Sequence, residues 1–391
     1  MTTTLDVPAM TEEQEMLRDM VRQFSEEVLL PQAIEIDRDR RFPEDTFKQM
    51  AEMGLLGLPI PEELEGAGVD TVTTALVIEE LAKCCGSTAL GVAAHTSLCM
   101  WPIYAFGTDE QRARYVPDLA SGRKLGAFGL TEANAGSDAG GTQTTAVRDG
   151  DHYVLNGAKI FITNANYAGT FIATAVTDAE KGTRGGISSF IVERGAEGFA
   201  INKGDEKLGM RGSDWGELVF TDCRIPVDQR LGAEGEGFAN FMKTLDGGRI
   251  GIAALSLGLA EGAMERSVRY ANEREAFGKP IAQQQGLAFK LADMATQIEA
   301  SRLLVRQAAT LRDAGQPYTT AASMAKLFAS EVAVRVCYDA IQVHGGYGFT
   351  NEYHVERMWR DAKLCTIGEG TSEIQRMVIS RDVIARHGGE R

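Results

Sequence analysis

The sequence is poor in the features that mark metal sites, membrane spans and secreted proteins. Its six cysteines form no Cys-x-x-Cys pair, and it has only five histidines, so we expect no metal site. No apolar run reaches about 18 residues, so we expect no membrane insertion. The N-terminus lacks a charged start followed by an apolar stretch, so we expect no signal peptide.

Basic residues are outnumbered by acidic ones. The chain has 40 Lys and Arg against 55 Asp and Glu, a net charge of −15. Such a protein is not expected to bind nucleic acid or an anionic membrane, and an anionic ligand would need local basic groups. Scattered cysteines suggest reduced thiols. We therefore expect a cytoplasmic location, or the mitochondrial matrix if a transit peptide was removed.

The 391 residues are enough for two or three domains. Helical spacing of apolar residues dominates 1–126, starting with a helix that Pro31 should end. Short β-branched or aromatic runs between glycine turns dominate 127–235, and long helical runs fill 236–391. We predict an α+β multidomain protein with an N-terminal all-α domain, a middle antiparallel β-barrel or sandwich and a C-terminal four-helix bundle.

A single carboxylate between two glycines, Glu369, precedes the last helical run. Gly368 and Gly370 would let a ligand approach the backbone closely, and Thr371 or Ser372 would cap the helix. Taken alone, such a glutamate is typical of a solvated loop. Three other segments favour a functional interpretation.

These segments combine glycine with polar or aromatic side chains. Segment 129–141 would present N–H groups and hydroxyls to a flat or anionic ligand, although an interdomain linker would also be glycine-rich. In segment 156–165, strand alternation puts Phe161 and Thr163 on one face, which suits a planar heteroaromatic ring or an ordinary cross-strand pair. Segment 342–349 is a glycine turn between helices, and it lacks the Gly-x-Gly-x-x-Gly spacing of a dinucleotide-binding loop.

Together with the Glu369 loop, these segments resemble those of the acyl-CoA dehydrogenase family, and most closely its short-chain, butyryl-type members. The resemblance covers essentially the whole chain in the same order. Segments 129–141 and 342–361 fit the family's two signature patterns, and 207–213 and 274–285 fit further motifs. It implies the same three-domain fold, usually a tetramer, with FAD between the middle and C-terminal domains.

The resemblance also implies which residues contact FAD. Those implied for the flavin and the thioester end of the substrate are Phe128, Leu130, Thr131 and Ser137. Phe161 would pack on the isoalloxazine ring, where many relatives have Trp, and Thr163 would hydrogen-bond flavin N5. Those implied for the adenosine end of a neighbouring subunit's FAD are Arg274, Phe277, Gln285, Gln342, Gly345 and Gly346. Thr371 and Glu373 would also touch FAD.

Glu369 aligns with the family's catalytic base. It would remove the α-proton of an acyl-CoA while hydride passes from the β-carbon to flavin N5, giving trans-2-enoyl-CoA. A free glutamate, with a pKa of about 4.3, is a weak base, and burial would raise that pKa. Some relatives carry the base at the position of Gly248, which cannot serve here. The residues implied for substrate binding are Ser137, Asp246, Arg249 and Gly370.

The implied partners are acyl-CoA, an electron-transferring flavoprotein and further copies of the chain. Short-chain acyl groups are expected, while branched, cyclic and dicarboxylic groups stay open. Trp215, where many relatives have a small hydroxyl residue, is either a packed β residue or part of an altered substrate pocket. The rival interpretations on the same fold are an oxidase and a catalytically silent flavin-binding protein.

Overall fold

The computed structural model describes residues 9–388, in which a helical domain, a β domain and a helical bundle follow one another. This is the predicted three-domain fold. The outermost residues of the first and last predicted domains, 1–8 and 389–391, lie outside the described residues.

The first domain is helical, but its first helix runs further than predicted. Its helices are α1 (Glu12–Phe24), α2 (Leu30–Asp39), α3 (Glu44–Glu52), α4 (Thr71–Cys84), α5 (Gly86–Ala94), α6 (Trp101–Phe106) and α7 (Asp109–Ala120). Pro31 does not end the first helical run, because π-helical Ser25–Leu29 joins α1 to α2. The proline lies in the first turn of α2, where a missing N–H is tolerated.

One helical run corrects the expectation about apolar length. Within the described residues, Gly86–Phe106 is long and apolar enough to cross a membrane by length and composition alone. Inside it, π-helical His95–Met100 joins α5 to α6. Yet 67 % of its most apolar window is buried in the protein, and the Gly126 amide of the sheet donates to its His95 ring at 2.9 Å. The run is a core helix packed on the β domain.

The middle domain is an eight-stranded sheet with strand order β6-β7-β3-β2-β4-β5-β8, and β1 pairs with β4. The strands are β1 (Leu125–Gly129), β2 (Thr145–Asp149), β3 (His152–Thr163), β4 (Ala168–Val176), β5 (Ile187–Glu193), β6 (Phe199–Lys203), β7 (Trp215–Pro226) and β8 (Arg230–Leu231). Most pairs are antiparallel, as predicted, but β1 and β2 both run parallel to β4. A parallel pair requires a long connection, and here β3 lies in the chain between β2 and β4, and both β2 and β3 lie between β1 and β4.

The third domain consists of four longer helices and a fifth, shorter one. They are α8 (Gly237–Glu273), α9 (Gln285–Asp313), α10 (Thr319–His344), α11 (His354–Cys365) and α12 (Ser372–His387). The shorter helix, α11, packs on α8 and α10. The hairpin strands β9 (Glu275–Ala276) and β10 (Lys279–Pro280) join α8 to α9. Helix α11 was not predicted as a separate helix from the sequence.

Buried ion pairs and hydrogen bonds tie α11 to the other two domains. Arg357 bonds Asp361 at 3.3 Å and the Cys84 carbonyl at the end of α4 at 2.8 Å. The other Asp361 oxygen accepts from the Met210 amide, which lies just before β7. Since α11 leads directly into the turn that contains Glu369, all three domains fix where that turn lies.

Candidate active site

Glu369 lies in a strained turn between α11 and α12 that points its carboxylate inward. Its backbone is left-handed, with φ 53°, and that of Gly370 follows with φ 96°. A Cβ added to Gly248 on α8 would lie 3.0 Å from Glu369 Cδ, so the carboxylate packs directly on this glycine. Its Oε2 is buried and, within the described chain, has no hydrogen-bond partner. The side chain is therefore not that of a solvated loop.

The surroundings of Glu369 make it a better base. Burial raises the pKa of Glu369 to about 7, while the cations of Lys326 and Arg249 act in the opposite direction. A rise in this pKa on burial was expected from the sequence for the same physical reason. A carboxylate with a pKa near neutrality suits proton abstraction at neutral pH.

Two candidate substrate residues lie beside this carboxylate on α8. Arg249 is buried, and its guanidinium donates to Asp246 at 2.5 Å and to Ser323 at 3.4 Å. Asp246 is half-buried, and its other oxygen accepts from Thr319 at 2.7 Å. Arg249 is therefore an interior cation that acts on Glu369 through its field. The predicted substrate contacts of both residues stay predictions.

The side chains that hold the Glu369 turn were not predicted from the sequence. Lys326 on α10 has no exposed surface, and its ammonium donates to the Gly370 carbonyl at 2.7 Å. The Gln375 side-chain amide donates to the same carbonyl at 2.9 Å. A lysine in a helical run gives no local sign that it is buried, so only its spacing relative to the apolar residues of α10 could have indicated it.

A second buried ion pair shapes the loop after β1. Lys159 has no exposed surface and donates to Glu132 at 2.7 Å and to the Leu130 carbonyl at 3.3 Å. Glu132 also accepts from the Gln143 and Thr144 amides. Burial acts to raise the pKa of Glu132, but these bonds, chiefly that of Lys159, outweigh it and lower the pKa to about 2. The carboxylate of the glycine-rich motif is thus structural and fixes Leu130.

Three candidate flavin residues, Phe161, Thr163 and Thr131, lie together at the C-terminal end of β3. Phe161 is at a shift in the β3–β7 register, with φ 61° and a side chain that is 55 % exposed. The Ile160 amide beside it donates to the Thr131 carbonyl at 2.8 Å. Thr163 is half-buried two residues on. An exposed aromatic ring held on strained backbone between two threonines suits a flat heteroaromatic ligand with polar edges.

Trp215 begins β7 and lies beside this end of β3, half-buried rather than in the sheet core. Its half-buried ring stacks on Phe161, with centroids 4.9 Å apart and planes 21° apart. Its Nε1 donates to the Asp205 carbonyl at 2.7 Å, and its backbone pairs with Thr163. Trp215, for which the sequence left open a packed β position or an altered pocket, therefore packs against a candidate flavin contact.

The remaining candidates near the two sites differ in exposure. Phe128 is half-buried in β1, and Ser137 is exposed in the following loop. Thr371 caps α12 by accepting from the Ile374 amide at 3.3 Å. Glu373 is exposed in the first turn of that helix.

The residues implied for the adenosine end of FAD lie at the opposite end of the bundle. All of them are exposed: Arg274, Phe277, Gln285, Gln342, Gly345 and Gly346. A small core that includes Ala271, Ile281 and Val343 holds these segments together. Along α8, Tyr270 follows Gly248 by 22 positions, which is about 33 Å of helix. Within one chain, this set is therefore remote from Glu369.

His344, in the same region, is a packed residue. It is buried, its Nδ1 lies 2.8 Å from the Ala340 carbonyl, and its ring stacks on Tyr270. No cluster of potential metal ligands occurs in the part of the chain that the structure describes.

Comparison with known families covers the chain almost end to end. Residues 11–123 match the N-terminal domain of acyl-CoA dehydrogenase, 127–223 the middle domain and 235–384 the C-terminal domain.

Individual relatives agree with this assignment. The chain is 52 % identical over 371 residues to the short-chain specific acyl-CoA dehydrogenase of Clostridium acetobutylicum, covering 95 % of this chain and 98 % of the relative. It is 44 % identical to subunit CarC of the caffeyl-CoA reductase–Etf complex of Acetobacterium woodii, covering 95 % and 98 %. The structure of butyryl-CoA dehydrogenase from Megasphaera elsdenii matches with a TM-score of 0.95 at 44 % identity, covering 96 % and 99 %. The chain belongs to the acyl-CoA dehydrogenase family of FAD-dependent oxidoreductases.

Proposed function

We propose that this chain oxidises short-chain acyl-CoA thioesters to trans-2-enoyl-CoA, with Glu369 as the base that removes the α-proton. The observation that carries the proposal is the buried carboxylate on a strained turn, with Oε2 unpaired within the described chain. Bound FAD supplies the acceptor for the hydride of the β-carbon. Phe161, Thr163, Leu130 and Thr131 are the residues we assign to its flavin end.

The chain's own part in the reaction is to accept and hold a proton. The proton moves from the substrate α-carbon to a Glu369 carboxylate oxygen, which neutralises a charge that burial disfavours. Lys326 and Arg249 counter that burial, so part of the carboxylate is still ionised near pH 7. Packing on Gly248 limits where the carboxylate can lie. Holding the base in one place lowers the entropic cost of proton transfer.

The acyl group is proposed from the relatives' names. Two of them are named for short-chain or butyryl substrates. Branched, cyclic and dicarboxylic acyl groups are the alternatives, and the Trp215 ring beside Phe161 is the feature that could alter the pocket.

An electron-transferring flavoprotein is proposed as the electron acceptor. The A. woodii relative is named as a subunit of a complex with Etf. Since that relative is named a reductase, the same site could also be run in the direction of enoyl-CoA reduction. We further propose a cytoplasmic location, because the six cysteines are all free and buried.

A homo-oligomer, and specifically a tetramer, is proposed from the exposed end of the bundle. Phe277 and Phe349 are 93 % and 88 % exposed there, beside the residues implied for the adenosine of FAD. Burying two large rings against another subunit would remove apolar surface from water. It would also let Arg274 and Gln285 reach the FAD of that subunit.

The first test mixes the purified yellow protein, without oxygen, with butyryl-, octanoyl-, palmitoyl-, isovaleryl- and glutaryl-CoA. We expect butyryl-CoA to bleach the flavin absorbance fastest. Glu369→Gln should keep FAD and lose bleaching by roughly 10²- to 10⁴-fold, the usual contribution of a general base. Glu63→Gln makes the same chemical change at an exposed position and should bleach normally.

Three results would contradict this proposal. Undiminished bleaching of Glu369→Gln would remove Glu369 as the base. No bleaching of the wild-type protein by any acyl-CoA would indicate a silent flavin-binding protein. Rapid hydrogen peroxide formation after oxygen is admitted would indicate an oxidase.

The second test exploits the contact with Gly248. Gly248→Ala should displace the Glu369 carboxylate and slow bleaching by on the order of 10²-fold, the effect expected for a displacement of about 1 Å. Gly251→Ala is the matched control on the same helix, because its Cβ would meet only Ala93 Cβ at 3.9 Å. Equal bleaching rates for the two variants would show that proton abstraction does not depend on the packing of the carboxylate against Gly248.

The third test concerns the oligomer. We expect light scattering to give four times the mass of one chain, and Phe277→Asp to lower both that mass and the FAD retained per chain. Val147→Asp places the same charge on an exposed apolar position of β2 and should change neither. A wild-type monomer with full FAD content would contradict a site shared between subunits.

A further inference from the structure

Lys326 is a buried charge that the assigned chemistry does not use directly. It lies in the middle of α10 with no exposed surface. Burying an ammonium group is costly unless hydrogen bonds and opposite charges compensate. The hydrogen-bond partner of its ammonium therefore indicates which part of the structure this buried charge stabilises.

The ammonium has one hydrogen-bond partner within the described residues, the Gly370 carbonyl at 2.7 Å. Gly370 directly follows Glu369, and both residues have positive φ. Lys326 therefore bonds the strained turn itself, one residue from the carboxylate. Gln375 donates to the same carbonyl at 2.9 Å, so the position of the turn does not depend on Lys326 alone.

We propose that Lys326 is a positioning residue for the base, whose ammonium anchors the Glu369–Gly370 turn and whose charge keeps the Glu369 carboxylate ionised. The inference rests on the proposed function only for its consequence in catalysis. The coupling between the two charges is a property of the folded chain and can be measured without substrate.

The charged and titratable groups that act on this pair come from α8, α11 and α12. Arg249 and Asp246 come from α8, Cys365 from α11 and Glu373 from α12. Arg249 is already paired with Asp246 at 2.5 Å, whereas the bond of Lys326 is to a neutral carbonyl. The charge of Lys326 is thus less neutralised by a direct partner than that of Arg249.

The pKa values of Lys326 and Glu369 set the pH range in which both groups are charged. Burial lowers the pKa of Lys326 to about 8, with Cys365, Glu369 and Glu373 acting against it. Burial raises the pKa of Glu369 to about 7. Between these two values the carboxylate and the ammonium are both mostly charged.

The test is a pH titration of Glu369 by infrared difference spectroscopy, using the protonated-carboxyl band that disappears in Glu369→Gln. We expect Lys326→Met to raise the midpoint by about one pH unit, as for loss of a nearby opposite charge. Lys326→Arg, which keeps the charge, should restore the midpoint toward that of the wild type. Lys290→Met removes a lysine that pairs with Asp339 on the α9–α10 surface and should leave it unchanged.

The control for a purely structural role is Gln375→Met, which removes the second donor to Gly370 without removing a charge. It should leave the midpoint unchanged even if it lowers the melting temperature. An equal midpoint in Lys326→Met and the wild type would overturn the proposal. So would an equal rise in Lys326→Met and Gln375→Met, because a moved turn would then explain both.

A reciprocal measurement covers the case in which Lys326→Met does not fold. Coupling between two sites is symmetric, so removing the carboxylate must lower the pKa of the ammonium by the same amount. In protein labelled with ¹³C at lysine Cε, the Lys326 signal should titrate at lower pH in Glu369→Gln than in the wild type. An unchanged titration would refute the coupling. If acyl-CoA failed to bleach the wild-type protein, the proposed function would fail while both titrations still decided this inference.

Discussion

The packing of the Glu369 carboxylate on the bare backbone of Gly248 is the constraint on which the site depends. A left-handed glutamate is strained, and a carboxylate oxygen without a partner in the described chain is costly to bury. In return for these two costs in folding free energy, the protein holds a carboxylate with a pKa near neutrality in a fixed position. The features that weaken the fold locally are therefore those that make Glu369 a base.

The rest of the architecture keeps that turn in place. The first and third domains share one hydrophobic core, which includes Leu81 of α4 with Leu255 and Leu259 of α8. Arg357 and Asp361 tie α11 to the end of α4 and to the segment before β7. The turn thus begins at a helix that is bonded to both other domains. Lys326 and Gln375 hold the other end of the turn.

Much of the fold could be predicted from the sequence because it depends on local patterns. Apolar periodicity indicated the long helices, and glycine turns between β-branched runs indicated the sheet. Pro31 was misjudged because proline is as compatible with the first turn of a helix as with its end. The high average apolarity of Gly86–Phe106 was missed because polar residues interrupt its apolar pattern.

The site was predictable only in part. Glu369 was identified from its glycine neighbours and a family resemblance, but its contact with Gly248 joins residues far apart in the chain. The burial of Lys326 and Lys159 follows from helix and strand packing that no local pattern shows. The stack of Trp215 on Phe161 depends on a register shift between two strands, which the sequence does not mark.

The most direct measurement of the central claim is the pH dependence of flavin bleaching at substrate concentrations well below saturation, which reports the base in the free enzyme. Stopped-flow rates for the wild-type protein with butyryl-CoA should rise about tenfold per pH unit below about pH 7 and level off above it, because only the ionised carboxylate accepts the proton. A rate that stayed constant from about pH 5.5 to 8.5 would contradict the account, since a base with an ordinary carboxyl pKa would already be ionised throughout that range.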